Sequence, residues 1–424
     1  MTRAERPCAL AVCGALALSC FARPLAAERQ AWRLPGEMPI PDWARSAEVT
    51  RSDEPIYQGP SSSEPRRGAA ARGARLPVFA SKHGPGCSTR FLLVGALAWL
   101  CQDGAELSPA APDVDGAGSL PRSHDGLPYR YHFVGPDGSF GYRAVQTAED
   151  GVPDAQLLKG FGVAVIRVEK NAAGNPFGLT TEDLWLPMRD LNPVTPIAFR
   201  GRELSGTLAV AWVTSPTAFA SRAPDRPKNP KLELSRFQTL NVLEQRELAG
   251  HRWFRYADDA WLSDRDARAP THATLPSELR PGERWIDVDI ASQVLTAYVG
   301  ERPVFATLVS TGRGGNGSIL ATPRGTHRLW VKLRGSNMDN LDDESASENY
   351  AIQAVPWVMY FDRGYGLHGT FWHRAFGSKH SHGCVNLTPL DAERLFGWTS
   401  PKLPPGWTAA LPTSYEPGTL IRVR

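Results

Sequence analysis

The segment 367–387, LHGTFWHRAFGSKHSHGCVNL, combines residue types that can do nucleophilic chemistry. It holds four of the ten histidines of the 424-residue chain, and it holds Cys384 within the run Ser-His-Gly-Cys. The four histidines are His368, His373, His380 and His382. The thiolate is the reactive form of cysteine, a nearby imidazole lowers the pKa of a thiol, and glycine gives a substrate access to the backbone. The segment therefore predicts a cysteine nucleophile that is activated by a histidine.

The first 27 residues have the composition of a secretory signal peptide. Arg3 and Arg6 precede a mostly apolar run from Cys8 to Phe21, and Pro-Leu-Ala-Ala follows before Glu28. A run of about 14 residues is too short for a permanent membrane helix. The sequence therefore predicts export of a soluble mature chain to the periplasm or cell envelope.

The cysteines divide between the leader and the mature chain. Three of the six lie within residues 1–27, which leaves Cys87, Cys101 and Cys384. Lipidation of Cys20 is disfavoured, because Ala17 stands where a lipoprotein signal usually has leucine. Cys87 and Cys101 lie 14 residues apart around one apolar segment, and an exported protein meets an oxidising compartment. We predict a disulfide between these two, with Cys384 as the free thiol.

The charge of the mature chain is nearly balanced. Removing three arginines and one glutamate with residues 1–27 reduces 47 basic and 44 acidic side chains to 44 and 43, a net charge of +1. Proteins that bind nucleic acid usually carry a basic surplus. No nucleic acid partner is expected.

A short motif recurs three times before residue 270. Trp-Leu occurs at Trp99, Trp185 and Trp261, and the last two copies share Trp-Leu-x-x-Arg-Asp. Each copy closes a run of short alternating apolar segments broken by Gly, Pro, Asn and Asp, which is typical of small antiparallel barrels or sandwiches. After a linker at 28–46 we predict β modules at 47–110, 120–200 and 206–270, with the three tryptophans packed in cores. The modules resemble bacterial SH3-like domains, the middle one least. If they bind a ligand, a wall glycan or a stem peptide is the candidate.

The pattern changes after the Pro-rich and charged residues 266–283. Apolar and polar residues alternate at 285–290, 293–300 and 304–312, which predicts three strands of an antiparallel meander. Further strands are predicted at 327–333, 355–361, 366–369 and 418–423, and a short helix at 391–398. The acidic stretch 339–348 is expected to be an exposed loop, because it lacks the fixed oxygen spacing of a calcium loop.

Residues 282–424 resemble the catalytic domain of L,D-transpeptidases of the YkuD type. The family pattern is a His-Gly pair followed by Ser/Thr-His-Gly-Cys, an apolar residue and Asn or Arg, and it matches His368-Gly369 and Ser381-His-Gly-Cys-Val-Asn386. The other matching positions are Tyr298-Val-Gly300, Thr322-Pro323-x-Gly325 and the final Gly418-Thr-x-x-x-Val423. The resemblance implies a mainly β fold, in which a YkuD-type sandwich or barrel with one short helix follows two or three small SH3-like barrels.

The resemblance also assigns roles. It implies that Cys384 is the nucleophile, that His368 is the general base with a pKa near the working pH, and that the carbonyl of Gly369 orients the imidazole. Backbone N–H groups around His382, Gly383 and Cys384 would form an oxyanion hole. His373 and His380 receive no role and are expected to be polar surface residues.

Six further side chains are candidates for contact with the substrate. For the aromatic residues and the methionine among them, ordinary core packing is an equal alternative. The six are Ser381, Asn386, Trp357, Met359, Tyr360 and Trp372.

The resemblance implies an enzyme that takes stem peptides of peptidoglycan as acyl donor and acceptor, needs no cofactor or metal, and is acylated by carbapenems at Cys384. Hydrolysis of the same acyl-enzyme, by a carboxypeptidase or endopeptidase, is an alternative that the sequence leaves open. A zinc site is disfavoured, because no second cysteine or HExxH helix accompanies the histidines. A papain-like peptidase is disfavoured, because His368 precedes Cys384. The intact motif argues against a wall-binding protein with an inactive catalytic domain.

Overall fold

Among the described residues, 34 β-strands and one α-helix make up the regular structure. The structure is a computed structural model that describes residues 35–114, 125–315, 317–341 and 350–424, and Gly36–Arg424 form one compact unit. The predicted signal peptide, residues 28–34 of the predicted linker and most of the predicted acidic loop lie outside the described residues. Within the described ranges no helix is long and apolar enough to cross a membrane. The prediction of a mainly β fold is confirmed.

The first module contains eight strands. Strand β1 pairs antiparallel with β4 and with β8, and Cys101 at the end of β7 forms a disulfide with Cys87. The strands are β1 (Ser46–Val49), β2 (Glu54–Tyr57), β3 (Arg66–Ala70), β4 (Arg75–Pro77), β5 (Ala80–Lys82), β6 (Phe91–Gly95), β7 (Ala98–Cys101) and β8 (Ala105–Ser108).

The second module and the residues from 202 to 268 contain the next sixteen strands. The second has β9 (Arg130–Val134), β10 (Ser139–Gly141), β11 (Ala155–Leu157), β12 (Gly162–Lys170), β13 (Pro176–Thr180), β14 (Trp185–Pro187) and β15 (Leu191–Pro193). The third region has β16 (Arg202–Glu203), β17 (Val210–Val213), β18 (Thr217–Ser221), β19 (Lys228–Ser235), β20 (Thr239–Asn241), β21 (Glu244–Leu248), β22 (His251–Ala257), β23 (Ala260–Ser263) and β24 (Ala267–Arg268).

The three modules share one pairing rule that explains the recurring motif. An early strand of each module pairs antiparallel with its last strand, as β1 with β8, β9 with β15 and β17 with β24. Each Trp-Leu pair lies on the strand just before that last one, on β7, β14 or β23. Trp99, Trp185 and Trp261 are all buried, so the prediction that they pack in cores is confirmed. The SH3-like assignment and the module boundaries stay predictions.

The remaining strands form two sheets around the core that supports the motif. Strands β25, β26 and β27 form the predicted antiparallel meander, and β34 and β28 continue that sheet. The second sheet contains β29 to β33, and helix α1 packs on it. The elements are β25 (Arg284–Asp289), β26 (Val294–Val299), β27 (Arg302–Leu308), β28 (Gly325–Arg328), β29 (Val331–Asp339), β30 (Ala351–Asp362), β31 (Tyr365–Gly369), β32 (Val385–Leu387), α1 (Pro389–Trp398), β33 (Trp407–Ala410) and β34 (Leu420–Val423).

The single strand predicted at 327–333 is wrong. Strand β28 ends at Arg328 and pairs with β34, whereas β29 begins at Val331 and pairs with β30 in the other sheet. The chain changes sheets at Leu329, which is buried in the core, and Trp330, which is 46% exposed. The prediction of one strand overlooked that three consecutive apolar residues, Leu329, Trp330 and Val331, interrupt the alternation at this crossing.

Helix α1 starts two residues earlier than predicted. The side chain of Thr388 accepts a hydrogen bond from the backbone N–H of Asp391, and Pro389 occupies the first turn, where its missing N–H costs nothing. Ala392 and Leu395 of the helix are buried in the core between the sheets. The helix thus closes the core directly after β32.

The last region and the first module share a continuous sheet. Strand β33 pairs with β29 on one side and with β3 on the other. Trp407 of β33 packs in the core of the first module, beside Ile56 and Leu100. Arg67 of β3 forms an ion pair with Glu416 at 2.8 Å. These contacts fix the first module against the sheet that carries the motif.

Candidate active site

Strands β31 and β32 bring the histidine and the cysteine of the motif together. His368 is the fourth residue of β31, and Cys384 directly precedes β32. The strands are parallel, with His368 opposite Asn386. Cys384 therefore lies two residues before the partner of His368, and the alternation of side chains along a strand places both on one face of the sheet.

His368 is buried, and the residue that follows it orients the ring. Nδ1 lies 3.2 Å from the carbonyl oxygen of Gly369, as the predicted role of Gly369 requires, and Trp372 stacks on the ring at a centroid distance of 5.7 Å. A proton on Nδ1 that is donated to this carbonyl leaves a lone pair on Nε2. Burial lowers the pKa of His368 to about 4, so the imidazole is neutral at neutral pH. The expectation of a pKa near the working pH is wrong, because the fold desolvates the ring.

The thiol of Cys384 is half-buried and protonated at rest. Its Sγ lies 3.8 Å from the carbonyl oxygen of Gly364, to which the S–H donates. Burial raises the pKa of the Cys384 thiol, and the N–H of Gly366 opposes this shift only in part. The expected lowering of the thiol pKa is therefore wrong, since His368 is neutral and desolvation dominates. Within the part of the chain that the structure describes, Cys384 and His368 share no hydrogen bond, and the resting pair is neutral.

Gly383 has a backbone that requires glycine. Its φ is +124°, and a Cβ there would lie 2.4 Å from Cε1 of Tyr365. The ring of Tyr365 is itself held, because its hydroxyl donates to the carbonyl of Ile319 at 2.9 Å. Close packing over Gly383 thus fixes the turn that leads into Cys384.

Ser381 holds the same turn from within. Its hydroxyl donates to the carbonyl oxygen of Cys384 at 2.5 Å and accepts the N–H of Gly383 at 3.1 Å. Ser381 is buried, so its hydroxyl positions the turn, which differs from the expected contact with substrate. The N–H of Gly383 is occupied by this bond. The N–H groups of His382 and Cys384 donate to no other described residue and are the ones left to bind an oxyanion.

The other predicted contact residues separate into two sets. Met359 is fully buried in the core, and Trp357 packs on Phe396 and donates its indole N–H to the carbonyl of Gly126 at 2.6 Å. These two belong to the core, so the alternative of core packing holds for them. Trp372 remains beside the site, where it stacks on His368, as does the buried Asn386 opposite His368. Tyr360 also lies beside the site, since burial, and secondarily the nearby Cys384, raises its pKa.

Three of the histidines have different surroundings. His382 is exposed, stacks on Tyr350 and accepts a hydrogen bond at Nε2 from Arg313 at 2.9 Å. His380 is exposed, as predicted. His373 is half-buried and has hydrogen-bond partners at both ring nitrogens, so the prediction of a polar surface residue is wrong for it.

Metal-ligating atoms converge at only one place within the described residues, and it lies far from the motif in sequence. The group is Cys87, Cys101 and Asp103, in which the two sulfur atoms are bonded to each other. The histidines of the motif and Cys384 do not form such a group among the described residues. An oriented imidazole with a free Nε2 and a thiol on one face of a sheet can support nucleophilic chemistry at the thiol.

Residues 283–423 match the family model of the YkuD domain, the L,D-transpeptidase catalytic domain. They form a YkuD domain.

Solved structures of L,D-transpeptidases are similar to part of the chain, and no curated protein matches the chain. A mutant of the Enterococcus faecium enzyme has 22% identity and a TM-score of 0.26, and the match covers 34% of this chain and 50% of that one. The isolated E. faecium catalytic domain has 23% identity and a TM-score of 0.25, with 34% and 98% covered. The Mycobacterium smegmatis enzyme has 20% identity and a TM-score of 0.27, with 42% and 79% covered. The present chain thus spans half of the first of these proteins.

Sequence reasoning missed several residues around the thiol of the YkuD domain. Burial, and secondarily the nearby Cys384, raises the pKa of Tyr350. Arg313 reaches His382 from the loop that follows β27. The glycine-rich composition of that loop was the available signal for Arg313. Tyr350 had none, because it follows a long acidic stretch and meets His382 only in the fold.

Proposed function

We propose that the protein is an exported peptidoglycan L,D-transpeptidase in which Cys384 carries the acyl group. The parallel register of β31 and β32 carries this proposal, because it sets an oriented imidazole and a lone thiol on one face of a sheet. The match of residues 283–423 to the YkuD model supports the same reaction. The substrate is a tetrapeptide stem, which is cut at the bond between its L-centre and its terminal D-residue.

The first half-reaction forms a thioester. The S–H leaves its contact with Gly364 and transfers its proton to Nε2 of His368 as Sγ adds to the carbonyl carbon. The negative charge moves to the carbonyl oxygen, where the N–H groups of His382 and Cys384 bind it. A donor of this kind typically contributes about 3 kcal/mol to the transition state. When the C–N bond breaks, the imidazolium returns its proton to the leaving amine of the D-residue.

The second half-reaction regenerates the thiol. An acceptor amine loses a proton to Nε2 of His368 and attacks the thioester carbonyl, and the C–S bond breaks. The thiolate then recovers the proton from the imidazolium. A side-chain amine of a second stem gives a 3→3 cross-link, whereas a free D-amino acid or a protein amine gives exchange or attachment.

The neutral resting pair fits this order of events. Because the pKa of the thiol is raised and that of His368 is lowered, the ion pair does not form in the free enzyme. Proton transfer then accompanies attack on a bound carbonyl, and the thiol stays protected from unrelated electrophiles.

Export and the N-terminal modules complete the proposal. The leader at 1–27 directs the chain to the periplasm, where its substrate lies, and the three β modules hold wall glycan. Carbapenems acylate Cys384 because their strained carbonyl takes the place of the peptide bond.

The test is to mix the mature protein with muropeptides that carry tetrapeptide stems and to identify products by mass spectrometry. The proposal expects 3→3 dimers, or exchange of the terminal residue for an added D-amino acid, and no product with Cys384→Ala. Tripeptide alone would show that water is the acceptor and that the enzyme is a hydrolase. No product and no carbapenem adduct would overturn the assignment.

A further inference from the structure

His373 bridges two parts of the motif through both nitrogens of its ring. Nδ1 accepts the backbone N–H of Ala375 at 3.1 Å, and Nε2 lies 2.8 Å from Nδ2 of Asn386. The ring packs between Phe376 at 5.5 Å and His380 at 4.6 Å, measured between centroids. Two short contacts and two ring contacts fix the imidazole in one orientation.

The protons of this imidazole decide how the amide of Asn386 is turned. Burial lowers the pKa of His373 to about 3, so the ring is neutral and carries one proton. Nδ1 accepts from Ala375, so the proton is on Nε2. An N–H on Nε2 cannot bond the Nδ2 group of Asn386, since both are donors. At the same time Oδ1 of Asn386 is buried and has no partner among the described residues.

One exchange removes the conflict between the two donors. The oxygen and nitrogen of a side-chain amide are told apart only by their hydrogen bonds. With the amide of Asn386 turned over, Nε2–H of His373 donates to Oδ1, and Nδ2 takes the position that now holds an unpaired oxygen. A buried amide with a bonded oxygen and an unpaired N–H₂ group can donate a hydrogen bond to an acceptor that a ligand supplies.

The register of β31 and β32 places Asn386 beside the thiol and the base. Asn386 lies opposite His368 in the register and two residues after Cys384, so its side chain shares the face of the sheet on which the thiol and the base lie. We propose that His373 is a positioning residue that turns Nδ2 of Asn386 toward this face, where it donates to a backbone carbonyl of the donor peptide. This inference rests on the proposed function for its substrate, whereas the His373–Asn386 bond itself does not.

The bond can be tested without any substrate. In the full mature chain labelled with ¹⁵N-histidine, long-range ¹H–¹⁵N correlations report which nitrogen of each imidazole is protonated, and His373→Gln identifies the signals of His373 by their loss. The inference expects a neutral ring with its proton on Nε2. A proton on Nδ1 would overturn it. This measurement stands even if the protein does not acylate.

The consequence for the reaction is tested by a double-mutant cycle. The rate at which a tetrapeptide acylates Cys384 is measured by rapid quench and intact mass for His373→Phe, Asn386→Ala and the double variant. Each single change is expected to slow acylation by about 10- to 100-fold, and the double variant is expected to match Asn386→Ala, because both changes remove one interaction. His373→Gln keeps an N–H donor and is expected to recover most of the rate.

Two controls separate positioning from general damage. Alkylation of Cys384 by iodoacetamide is expected to keep its rate in His373→Phe, because the thiol itself is untouched. Lys379→Ala, a change at an exposed residue of the same loop, is expected to acylate at the wild-type rate. Independent effects that multiply in the double variant, or equal losses of alkylation and acylation, would contradict the inference. A wild type that does not acylate at all would instead refute the proposed function.

Discussion

The neutral state of His368 predicts the pH below which activity falls. The fold lowers the pKa of this imidazole from 6.5 to about 4, a difference of roughly 2.5 units or about 3.4 kcal/mol. At pH 5.5 a base with a pKa of 4 is roughly 97% neutral, whereas a base with a pKa of 6.5 is roughly 9% neutral. Between pH 7.5 and 5.5 we therefore expect kcat/KM to fall by less than about 10%, where an unshifted histidine would give a fall of about tenfold.

The measurement is kcat/KM for a tetrapeptide donor against pH, with unfolding followed at each pH. The stability control matters because a histidine with a lowered pKa in the fold costs stability as pH falls below 6.5 toward 4.

Trp372→Ala tests whether burial of the ring is the cause of the lowered pKa of His368. It uncovers the ring of His368, so we expect the acid limb to move toward 6.5. Trp330→Ala removes a tryptophan that stacks on Tyr360 and should leave the limb in place. An acid limb near 6.5 in the folded wild type would refute the reasoning.

Three further predictions concern the turn, a buried lysine and the disulfide. Gly383→Ala should slow acylation of Cys384 more than tenfold, because an alanine at φ +124° costs about 1–3 kcal/mol and its Cβ would collide with Tyr365. The control is Gly364→Ala, whose Cβ would face open space and which should acylate at the wild-type rate. Equal acylation rates for the two variants would contradict this prediction. Burial lowers the pKa of Lys332 to about 7, so the unfolded chain binds the extra proton between pH 7 and 10.5 and stability rises with pH in that window. The free energy of unfolding, measured with urea at pH 7, 8 and 9, should rise with pH less steeply in Lys332→Met than in the wild type, by up to about 1.4 kcal/mol per pH unit. An unchanged slope of this free energy against pH would show that Lys332 is not the cause. Replacing Cys87 and Cys101 together by serine should lower the free energy of unfolding by about 3 kcal/mol, as expected for a disulfide that closes a loop of this length. The acylation rate of the folded protein should not change. Loss of acylation without unfolding would contradict the prediction that these two cysteines are structural and that Cys384 alone reacts.

The motif and the strands around it could be predicted because their signals are local. Alternation at 285–308 gives the meander of β25, β26 and β27, and Thr388 and Pro389 mark the start of helix α1. The contact between His368 and Gly369 joins neighbours in sequence, so the motif alone indicates it.

The residues beside the thiol could not be predicted, because both faces of β30 are covered. Met359 and Phe361 face the core of the YkuD domain, while Val355 and Val358 pack against Leu127 and Ala164 of the second module. A strand covered on both sides gives an apolar run that does not indicate which side faces the substrate. The indole N–H of Trp357 finds its acceptor 231 residues away in sequence, at Gly126.

The pKa shifts could not be predicted for a related reason. The motif indicates that an imidazole stands near a thiol, and this suggests an ion pair. Which ionisation state prevails depends on how much water reaches the two groups, and this is set by Trp372, by the carbonyl of Gly364 and by the turn that Tyr365 covers. These groups, which keep water from the imidazole and the thiol, come together only in the fold.

The central claim is that Cys384 forms a thioester with a tetrapeptide donor. Intact-protein mass spectrometry within the first turnover, followed by peptide mapping, measures this directly. The account predicts a mass increase equal to the mass of the donor minus that of the released free D-amino acid, located on Cys384 and absent from Cys384→Ala and from His368→Ala. An unmodified Cys384 in a folded protein given excess donor, or an adduct on another residue, would contradict it.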